Sequence, residues 1–170
     1  MGSRKRRYWA VEATNSLAPT HAATFSGANF ESRLSTAILQ EMWEKWAFIA
    51  AAASICSLMR APFGDITAAG ASDYSTQMFG ECCAIAAASG FVVSDASVNR
   101  SRAMFTAPGS PIAASMLRDI EHNARIESDH IVGDLLRRGG KEPGGFPLLQ
   151  IAYAHLRTYE ARRNREQAKN

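Results

Sequence analysis

Residues 34–59, with the sequence LSTAILQEMWEKWAFIAAAASICSLM, predict the helix around which the rest of the chain packs. Apolar side chains recur in it every three or four residues, the period of one helix face. They are Leu34, Ile38, Met42, Trp46, Ile49 and Ala53. The helix can begin near Ser32 or Ser35, and the A-P-F-G sequence at 61–64 is expected to end it. The run 46–59 carries no charge, which predicts a central position.

Further helices are predicted along the chain. One begins at Ser72 or Asp73 and is closed by Gly90, and the next begins at Ser94 or Asp95 and ends near Phe105. A last helix covers about 148–159, after a loop of glycine and proline at 139–147. Only 91–93 resembles a strand, and it is very short. The prediction is an all-α helical bundle.

The segment 110–138 places one carboxylate on an apolar helix face. Ser110 can cap this helix, and Pro111 suits its first position. On a helical wheel Glu127 falls inside a stripe of apolar residues, formed by Ala113, Met116, Ile120, Ala124 and Ile131. An isolated buried charge costs several kcal/mol, so Glu127 is expected to have a partner, a raised pKa or a ligand.

The charge of the chain is unevenly distributed. The formal net charge is +3, but residues 4–7 contribute +4 and the last fourteen residues contribute +3, so the body carries −4. Basic ends of this kind are usually solvated, and the sequence around them has no aromatic pattern typical of nucleic-acid binding. We predict an irregular lead-in over 1–30, one all-α domain over 31–160 and a basic tail over 161–170.

The three cysteines form no C-x-x-C pair, and their odd number indicates a reducing compartment rather than a disulfide framework. The uncharged run 46–59 is too short to cross a bilayer, and no apolar segment typical of a signal peptide follows the N-terminal bases. A cytoplasmic protein without a membrane partner is expected.

The sequence lacks the motifs of several common kinds of binding site and catalytic site. No G-x-G-x-x-G, G-x-x-x-x-G-K-[ST] or G-x-S-x-G occurs, which disfavours a nucleotide cradle and a serine nucleophile. Glu127 and His130 have the E-x-x-H spacing of di-iron bundles, but a second E-x-x-H is missing, so we predict no metal site. Cys82 and Cys83 lie in an apolar helical stretch, typical of packed thiols.

Lys45 borders the apolar stripe of the first helix and is the last charge before the uncharged run. Its amine can extend to water along the helix surface, or it can face Glu127 across two packed helices, partly desolvated. In the second case the lysine could donate a proton or hydrogen bond to a developing alkoxide.

Two separated motifs resemble the ketopantoate reductase family. The first is W-E-K at 43–45, followed by an apolar helix and A-P-F-G-D-I at 61–66. The second is S-M-L-R-D-I at 115–120, followed by R-I-E-S-D at 125–129. Gly133, the R-R-G of 137–139 and Pro147 agree in order and spacing, and the resemblance covers about 29–160.

The resemblance implies an NADPH-dependent reduction of 2-dehydropantoate or related 2-oxo acids, a step of pantothenate biosynthesis. In that family a Rossmann domain holds the cofactor, and an all-α domain similar to that of 6-phosphogluconate dehydrogenase closes the substrate cleft. The resemblance implies that Lys45 assists protonation of the keto oxygen, Glu127 binds and orients the substrate, and Ser115 helps to hold its carboxylate. Ser115 and Glu127 do not share a face on the wheel, so the role of Ser115 depends on the resemblance alone.

The sequence also departs from the family pattern. Asparagines that the family often has are replaced by Ile49, Ala53, Phe63 and Ile112. The loss of four amide side chains predicts a more apolar substrate, a different one, or a decayed site.

Residues 1–30 are too few for a Rossmann domain, so the resemblance covers the C-terminal domain only. We expect the substrate-binding, catalytic domain of an NADP-dependent oxidoreductase, inactive alone because it lacks a hydride carrier. Three explanations of the missing half stay open: an expressed domain, a truncated reading frame, or a product that works with a separate Rossmann domain. The alternative is a non-catalytic helical module for oligomerisation or interaction. An apolar face without its partner domain tends to self-associate, so a homo-oligomer such as a dimer is expected.

Overall fold

The computed structural model describes residues 35–140 and 145–169, and these ranges contain seven α-helices, one π-helix and no β-strand. In chain order the elements are α1 Ile38–Met59, α2 Phe63–Ala68, α3 Ser72–Ala88, α4 Asp95–Phe105, α5 Ser115–Glu121, the π-helix Asp129–Gly133, α6 Asp134–Arg138 and α7 Pro147–Gln167. The predicted all-α class is confirmed. The predicted lead-in, 1–30, lies outside the described residues.

The chain divides into two compact units, with the boundary after Met42 inside α1. In the described part of the first unit, 35–42, the Ser35 hydroxyl accepts from the Ala37 N–H at 3.1 Å and donates to Glu41 at 2.8 Å. The second unit, from Trp43 onward, contains all the features discussed below.

Within the second unit, α1 is buried on every side between Ala50 and Ser57. Four consecutive alanines at 50–53 give this stretch small side chains, which allows neighbouring backbones to approach closely. The helix ends at Arg60, whose φ of 56° is left-handed, and the Ala61 N–H bonds back to the Cys56 carbonyl at 3.2 Å. The uncharged run therefore forms the centre of the fold, as its composition predicts.

Phenylalanines from four helices meet in the core around Phe105. Its ring, which is fully buried, lies 5.3 Å from that of Phe48, 5.0 Å from that of Phe63 and 5.5 Å from that of Phe79. Aromatic rings at these distances gain electrostatic edge contacts in addition to buried area. This cluster joins α1, α2, α3 and α4.

The prediction of one helix over 110–138 beginning at Ser110 is wrong. Residues 110–114 are not helical, and α5 begins at Ser115 with Ala114 as its N-cap. The cause is tertiary: the carbonyls of Ser110 and Ile112 accept the N–H groups of Gly64 and Phe63 at 2.9 and 3.0 Å. These N–H groups belong to the first turn of α2, which has no partner for them inside its own helix. We call 109–112 the strap.

A second break follows at Asn123, whose φ of 52° ends α5. Two side chains of α7 hold this turn: the Tyr159 hydroxyl donates to the Ala124 carbonyl at 2.6 Å, and Arg163 Nε donates to the Asn123 carbonyl at 2.8 Å. Because the helix ends here, Ile120 and Glu127 do not belong to one continuous helix. The apolar stripe that contains Ile120 therefore does not continue to Glu127.

α7 is longer than predicted and runs to Gln167. Its N-cap, Phe146, offers no side-chain hydrogen bond, and Glu81 of α3 supplies one instead. The two Glu81 carboxylate oxygens accept the N–H groups of Leu148 and Leu149 at 3.1 and 2.8 Å. A carboxylate at a helix N-terminus accepts the backbone N–H groups that have no partner within the helix, and its negative charge interacts favourably with the helix dipole. Among the described helices, none is both long and apolar enough to cross a membrane.

Candidate functional site

Lys45 lies on α1 beside an anchor that joins this helix to the π-helix. Its side chain is exposed, so the alternative in which the amine extends to water describes this structure. The neighbouring Trp46 donates its Nε1–H to the backbone carbonyl of Ile131 at 2.9 Å. This bond fixes the Lys45 turn of α1 against the segment that follows Glu127.

Arg138 strengthens the same anchor from α6. Its guanidinium carbon lies 5.5 Å from the ring centroid of Trp43 and 5.3 Å from that of Trp46. Trp43 also stacks on Phe91 at 5.2 Å. A guanidinium within about 6 Å of an indole face is attracted by about 0.5–1 kcal/mol at an exposed site. The W-x-x-W spacing places both indoles on one side of α1, a signal that could have revealed this anchor.

Glu127 is exposed, and it precedes the helical segment that contains the π-helix. The expectation of a buried carboxylate is wrong, because the turn at Asn123 separates Glu127 from the apolar stripe of α5. The Glu127 carbonyl accepts the Ile131 N–H at 3.0 Å, which places Glu127 one turn before the residue that binds Trp46. The Lys45 and Glu127 segments are therefore adjacent, although no ion pair joins the two side chains within the described ranges.

Ser115 is exposed at the first turn of α5 and lies farther from Lys45. Burial raises the pKa of the Cys56 thiol, and the backbone of Ala114, which precedes Ser115, partly offsets this rise. Cys56 is eleven residues after Lys45 on α1, a distance of about 16 Å along the helix axis. The structure therefore joins the Lys45 turn of α1 to the segment that follows Glu127, whereas Ser115 begins α5 near the Cys56 turn of α1.

The four positions that depart from the family pattern fall into two groups. Phe63 and Ala53 are core residues, 1% and 2% exposed. Ile49 and Ile112 present large apolar side chains to solvent, at 36% and 47%. Only the latter two could make an open substrate face more apolar.

A polar network next to Glu127 was not anticipated from the sequence. The Tyr153 hydroxyl donates to Asp129, and Arg157 pairs with the other Asp129 oxygen at 3.1 Å. The Tyr153 hydrogen bond, with help from Arg157 and Arg137, holds the pKa of the Asp129 carboxyl below its usual range. The same hydrogen bond raises the pKa of Tyr153. This network holds the π-helix on α7, and π-helices often occur at functional sites.

The cysteines are poor nucleophiles. Cys82 is fully buried, and burial raises the pKa of its thiol well above the usual value. Burial also raises the pKa of the half-buried Cys83 thiol to about 11. Thiols with such high pKa values carry little thiolate at neutral pH. Among the described residues no group of three or more histidine, cysteine, aspartate or glutamate side chains could hold a metal ion.

Comparison with known proteins connects these features. Residues 37–160 match the family described as "Ketopantoate reductase PanE/ApbA C terminal". The chain belongs to the ketopantoate reductase family. The match begins just before α1 and ends within α7, so it includes Lys45, the strap, Ser115 and Glu127.

One curated protein and several solved structures are also similar to this chain, the solved structures in fold. The uncharacterized oxidoreductase YkpB of Bacillus subtilis (strain 168) is 33% identical over 154 residues, which are 90% of this chain and 50% of YkpB. A dimeric ketopantoate reductase from Staphylococcus aureus shares the fold with a TM-score of 0.80 at 21% identity, over 94% of this chain and 55% of that one. A ternary structure of D-mandelate dehydrogenase with NADH and anilino(oxo)acetate gives a TM-score of 0.76 at 16% identity, over 94% of this chain and 69% of that one. The chain therefore spans about half the length of the curated relative it matches.

Proposed function

We propose that this chain supplies the substrate-binding helical part of a ketopantoate-reductase-type active site that reduces a 2-oxo acid. The observation that carries the proposal is the Trp46–Ile131 hydrogen bond, which joins the turn of α1 next to Lys45 to the segment that follows Glu127. Family membership supports the reaction class. The D-mandelate dehydrogenase that shares the fold acts, by its name, on mandelate, a 2-hydroxy acid whose oxidised form is a 2-oxo acid, which supports the substrate class.

The proposed roles follow from the chemistry of reduction. A 2-oxo acid that becomes a 2-hydroxy acid gains a proton on its former carbonyl oxygen. The Lys45 ammonium can donate a hydrogen bond and a proton to this oxygen as negative charge develops on it. The Glu127 carboxylate can accept hydrogen bonds from hydroxyl groups of the substrate and so orient it.

Ser115 has a separate role in this proposal. Its hydroxyl can donate to the substrate carboxylate, which is not the group that reacts. We therefore expect Ser115→Ala to raise KM while leaving kcat within a few-fold, because a distant binding contact acts on the ground state and the transition state alike.

The cofactor must be held by other residues. The relatives' chemistry implies a nicotinamide cofactor, and NADP is the form expected for this family. The sequence has no G-x-G-x-x-G motif, and the described residues form helices without the parallel sheet of a dinucleotide site. These residues do not fit the cofactor, so the proposal concerns only what they do to the substrate.

The test uses this chain fused behind the N-terminal cofactor domain of the dimeric S. aureus relative. Oxidation of NADPH at 340 nm is followed with ketopantoate and with phenylglyoxylate, the 2-oxo acid whose reduction gives mandelate, as substrates. Lys45→Ala should lower kcat by about 100-fold or more, the usual loss for a donor to a developing oxyanion. Glu127→Gln should lower kcat/KM at least about tenfold, since hydrogen bonds to a charged group are worth about 1.5–3 kcal/mol.

Matched variants keep the result interpretable. Lys169→Ala and Glu121→Gln remove the same charges at exposed positions outside the proposed site and should leave turnover unchanged. Lys45→Ala activity within threefold of the parent fusion would contradict the proposed role of the lysine. A fusion that binds NADPH but reduces neither substrate would contradict the proposed substrate class.

The alternative function is a helical interaction module. Exposed large apolar side chains favour it, among them Val92 at 72% and Ile151 at 56%. The dimeric state of the S. aureus relative supports a homo-oligomer for this chain as well. Light scattering over a concentration series tests whether the chain self-associates. The fusion assay then distinguishes the two functions, because a chain that only self-associates predicts no reductase activity in the fusion and no effect of Lys45→Ala.

A further inference from the structure

A cavity outside the proposed substrate site is lined by three arginines. It has a volume of about 660 Å³ and lies between the 125–129 segment and the C-terminal half of α7. The residues that line it are Arg125, Ile126, Asp129, Arg157, Glu160, Ala161, Arg163 and Asn164. Lys45, Ser115 and Glu127 are not among them.

The two acids of this cavity already have partners inside the protein. Glu160 accepts from the buried Ser128 hydroxyl at 2.7 Å and lies 3.5 Å from Arg157. Asp129 accepts from Tyr153 and from Arg157. Arg157 thus pairs with both carboxylates, so its positive charge is balanced by Asp129 and Glu160 of the cavity lining.

Arg125 and Arg163 retain donors that nothing in the described chain uses. Arg163 donates its Nε–H to the Asn123 carbonyl. Its other guanidinium N–H groups have no acceptor among the described residues. Arg125 has no hydrogen bond or ion pair to the described part of the chain. Two guanidinium groups beside one cavity repel each other, and an anion between them would convert this repulsion into attraction.

The wall of the cavity is rigid enough to act as a site. The left-handed turn at Asn123 is held by Tyr159 and Arg163 of α7, so both sides of the cavity are tied together. Arginine presents a planar fork of N–H donors that matches phosphate oxygens in pairs. A volume of about 660 Å³ exceeds what one inorganic phosphate fills and lies in the range of small-molecule sites.

We propose that this cavity binds a small phosphorylated molecule, whose phosphoryl oxygens are held by Arg125 and Arg163. Two guanidinium groups with unused N–H donors favour a phosphoryl group, and the two carboxylates of the lining already have partners within the protein. The volume of the cavity leaves room for an organic group attached to the phosphate. The proposal does not depend on the proposed substrate chemistry.

The experiment is a titration of this chain with inorganic pyrophosphate and, separately, with ADP. Binding is followed by isothermal calorimetry and by 31P NMR at constant ionic strength. We expect saturable binding of both probes, and tighter binding of ADP if the organic body contacts the cavity. ADP affinity equal to that of pyrophosphate would show that the phosphoryl groups alone are recognised, which still supports the site.

Arg125→Gln is the decisive variant, because this side chain forms no hydrogen bond to the described residues 35–140 and 145–169 whose loss could destabilise the fold. It should weaken pyrophosphate binding about tenfold or more, and Arg163→Gln should do so as well. Arg118→Gln, at an exposed position of α5 outside the cavity, is the matched control and should bind like the parent. Absence of saturable binding, or equal affinity in Arg125→Gln and Arg118→Gln, would overturn the proposal.

Discussion

Gly64→Ala should destabilise the protein through a backbone collision. A Cβ atom at this position would lie 2.4 Å from the Ser110 nitrogen, 2.6 Å from the Gly109 carbonyl carbon and 2.7 Å from the Ser110 oxygen. All three are backbone atoms of the strap, so no side chain can rotate away. The strap and α2 would have to separate.

The size of the effect follows from what separation breaks. The strap accepts two backbone hydrogen bonds from α2, at Gly64 and Phe63. Each is worth about 0.5–1.5 kcal/mol net, and overpacking a tight site costs a further 1–3 kcal/mol or so. We expect a loss of about 3–5 kcal/mol in the free energy of unfolding, a large share of the 5–15 kcal/mol or so that typical domains possess.

Urea unfolding followed by circular dichroism measures this loss, and Gly80→Ala provides the control. Gly80 lies inside α3, and a Cβ there meets nothing within 4 Å. The same substitution should therefore stabilise the protein by about 0.5–1 kcal/mol, because alanine loses less backbone entropy in a helix. A Gly64→Ala protein within about 0.5 kcal/mol of the parent would refute the close approach of α2 and the strap.

Three further predictions concern the core, a buried hydrogen bond and pH. Phe105→Ala should cost about 3–5 kcal/mol of unfolding free energy, since its ring is fully buried among three others; urea titration measures it. Ser128→Ala should cost about 1–2 kcal/mol, because the Ser128 hydroxyl is buried and donates to Glu160; thermal melting at neutral pH measures it. Burial, with the nearby Arg60 guanidinium, lowers the pKa of His155, and its Nε2 is buried without a hydrogen-bond partner in the described chain. The unfolded state therefore takes up a proton first, so this histidine's share of stability is present above about pH 6.5 and is lost as the pH falls through the lowered pKa. The parent should lose more stability than His155→Leu between about pH 7.5 and 5.5, as measured by urea unfolding at both values.

Each of these predictions has its own contrary outcome. Phe105→Leu refills most of the ring volume and should recover more than half of the loss; equal losses for both variants would indicate that cavity formation is not the cause. Ser115→Ala, at an exposed position, should change stability by less than about 0.5 kcal/mol and provides the reference for Ser128→Ala. Parallel pH dependence in the parent and His155→Leu would show that the histidine does not titrate differently in the folded state.

Local sequence signals succeeded where one helix face or one cap decided the structure. Ser94 caps α4 as predicted, accepting the Ser97 N–H at 3.4 Å, and α4 ends at Phe105. Local sequence signals failed over 110–138, where each half of the segment forms hydrogen bonds with a helix that is distant in the sequence. The strap accepts N–H groups from α2, and the Asn123 turn is held by α7, and neither partner is close in sequence.

The candidate site shows the same division. The residue types at Lys45, Ser115 and Glu127 agree with the family pattern, and on this resemblance the sequence alone proposes them as candidate site residues. Their relative positions depend on contacts 85 residues apart, such as the Trp46–Ile131 bond, and on the break that exposes Glu127. The sequence could not indicate that α5 begins at Ser115, because the hydrogen bonds between the strap and α2 set where this helix starts.

The sequence by itself determined that this chain is helical, that its uncharged run is the central helix, and that it carries the motifs of the ketopantoate reductase family. Apolar periodicity encodes these features because burial depends on which residues share a helix face. The tertiary structure alone decided where the helix expected over 110–138 breaks, which carboxylate is exposed, and which arginines converge on one cavity. Those outcomes depend on backbone donors and acceptors that must be satisfied by residues far away along the chain.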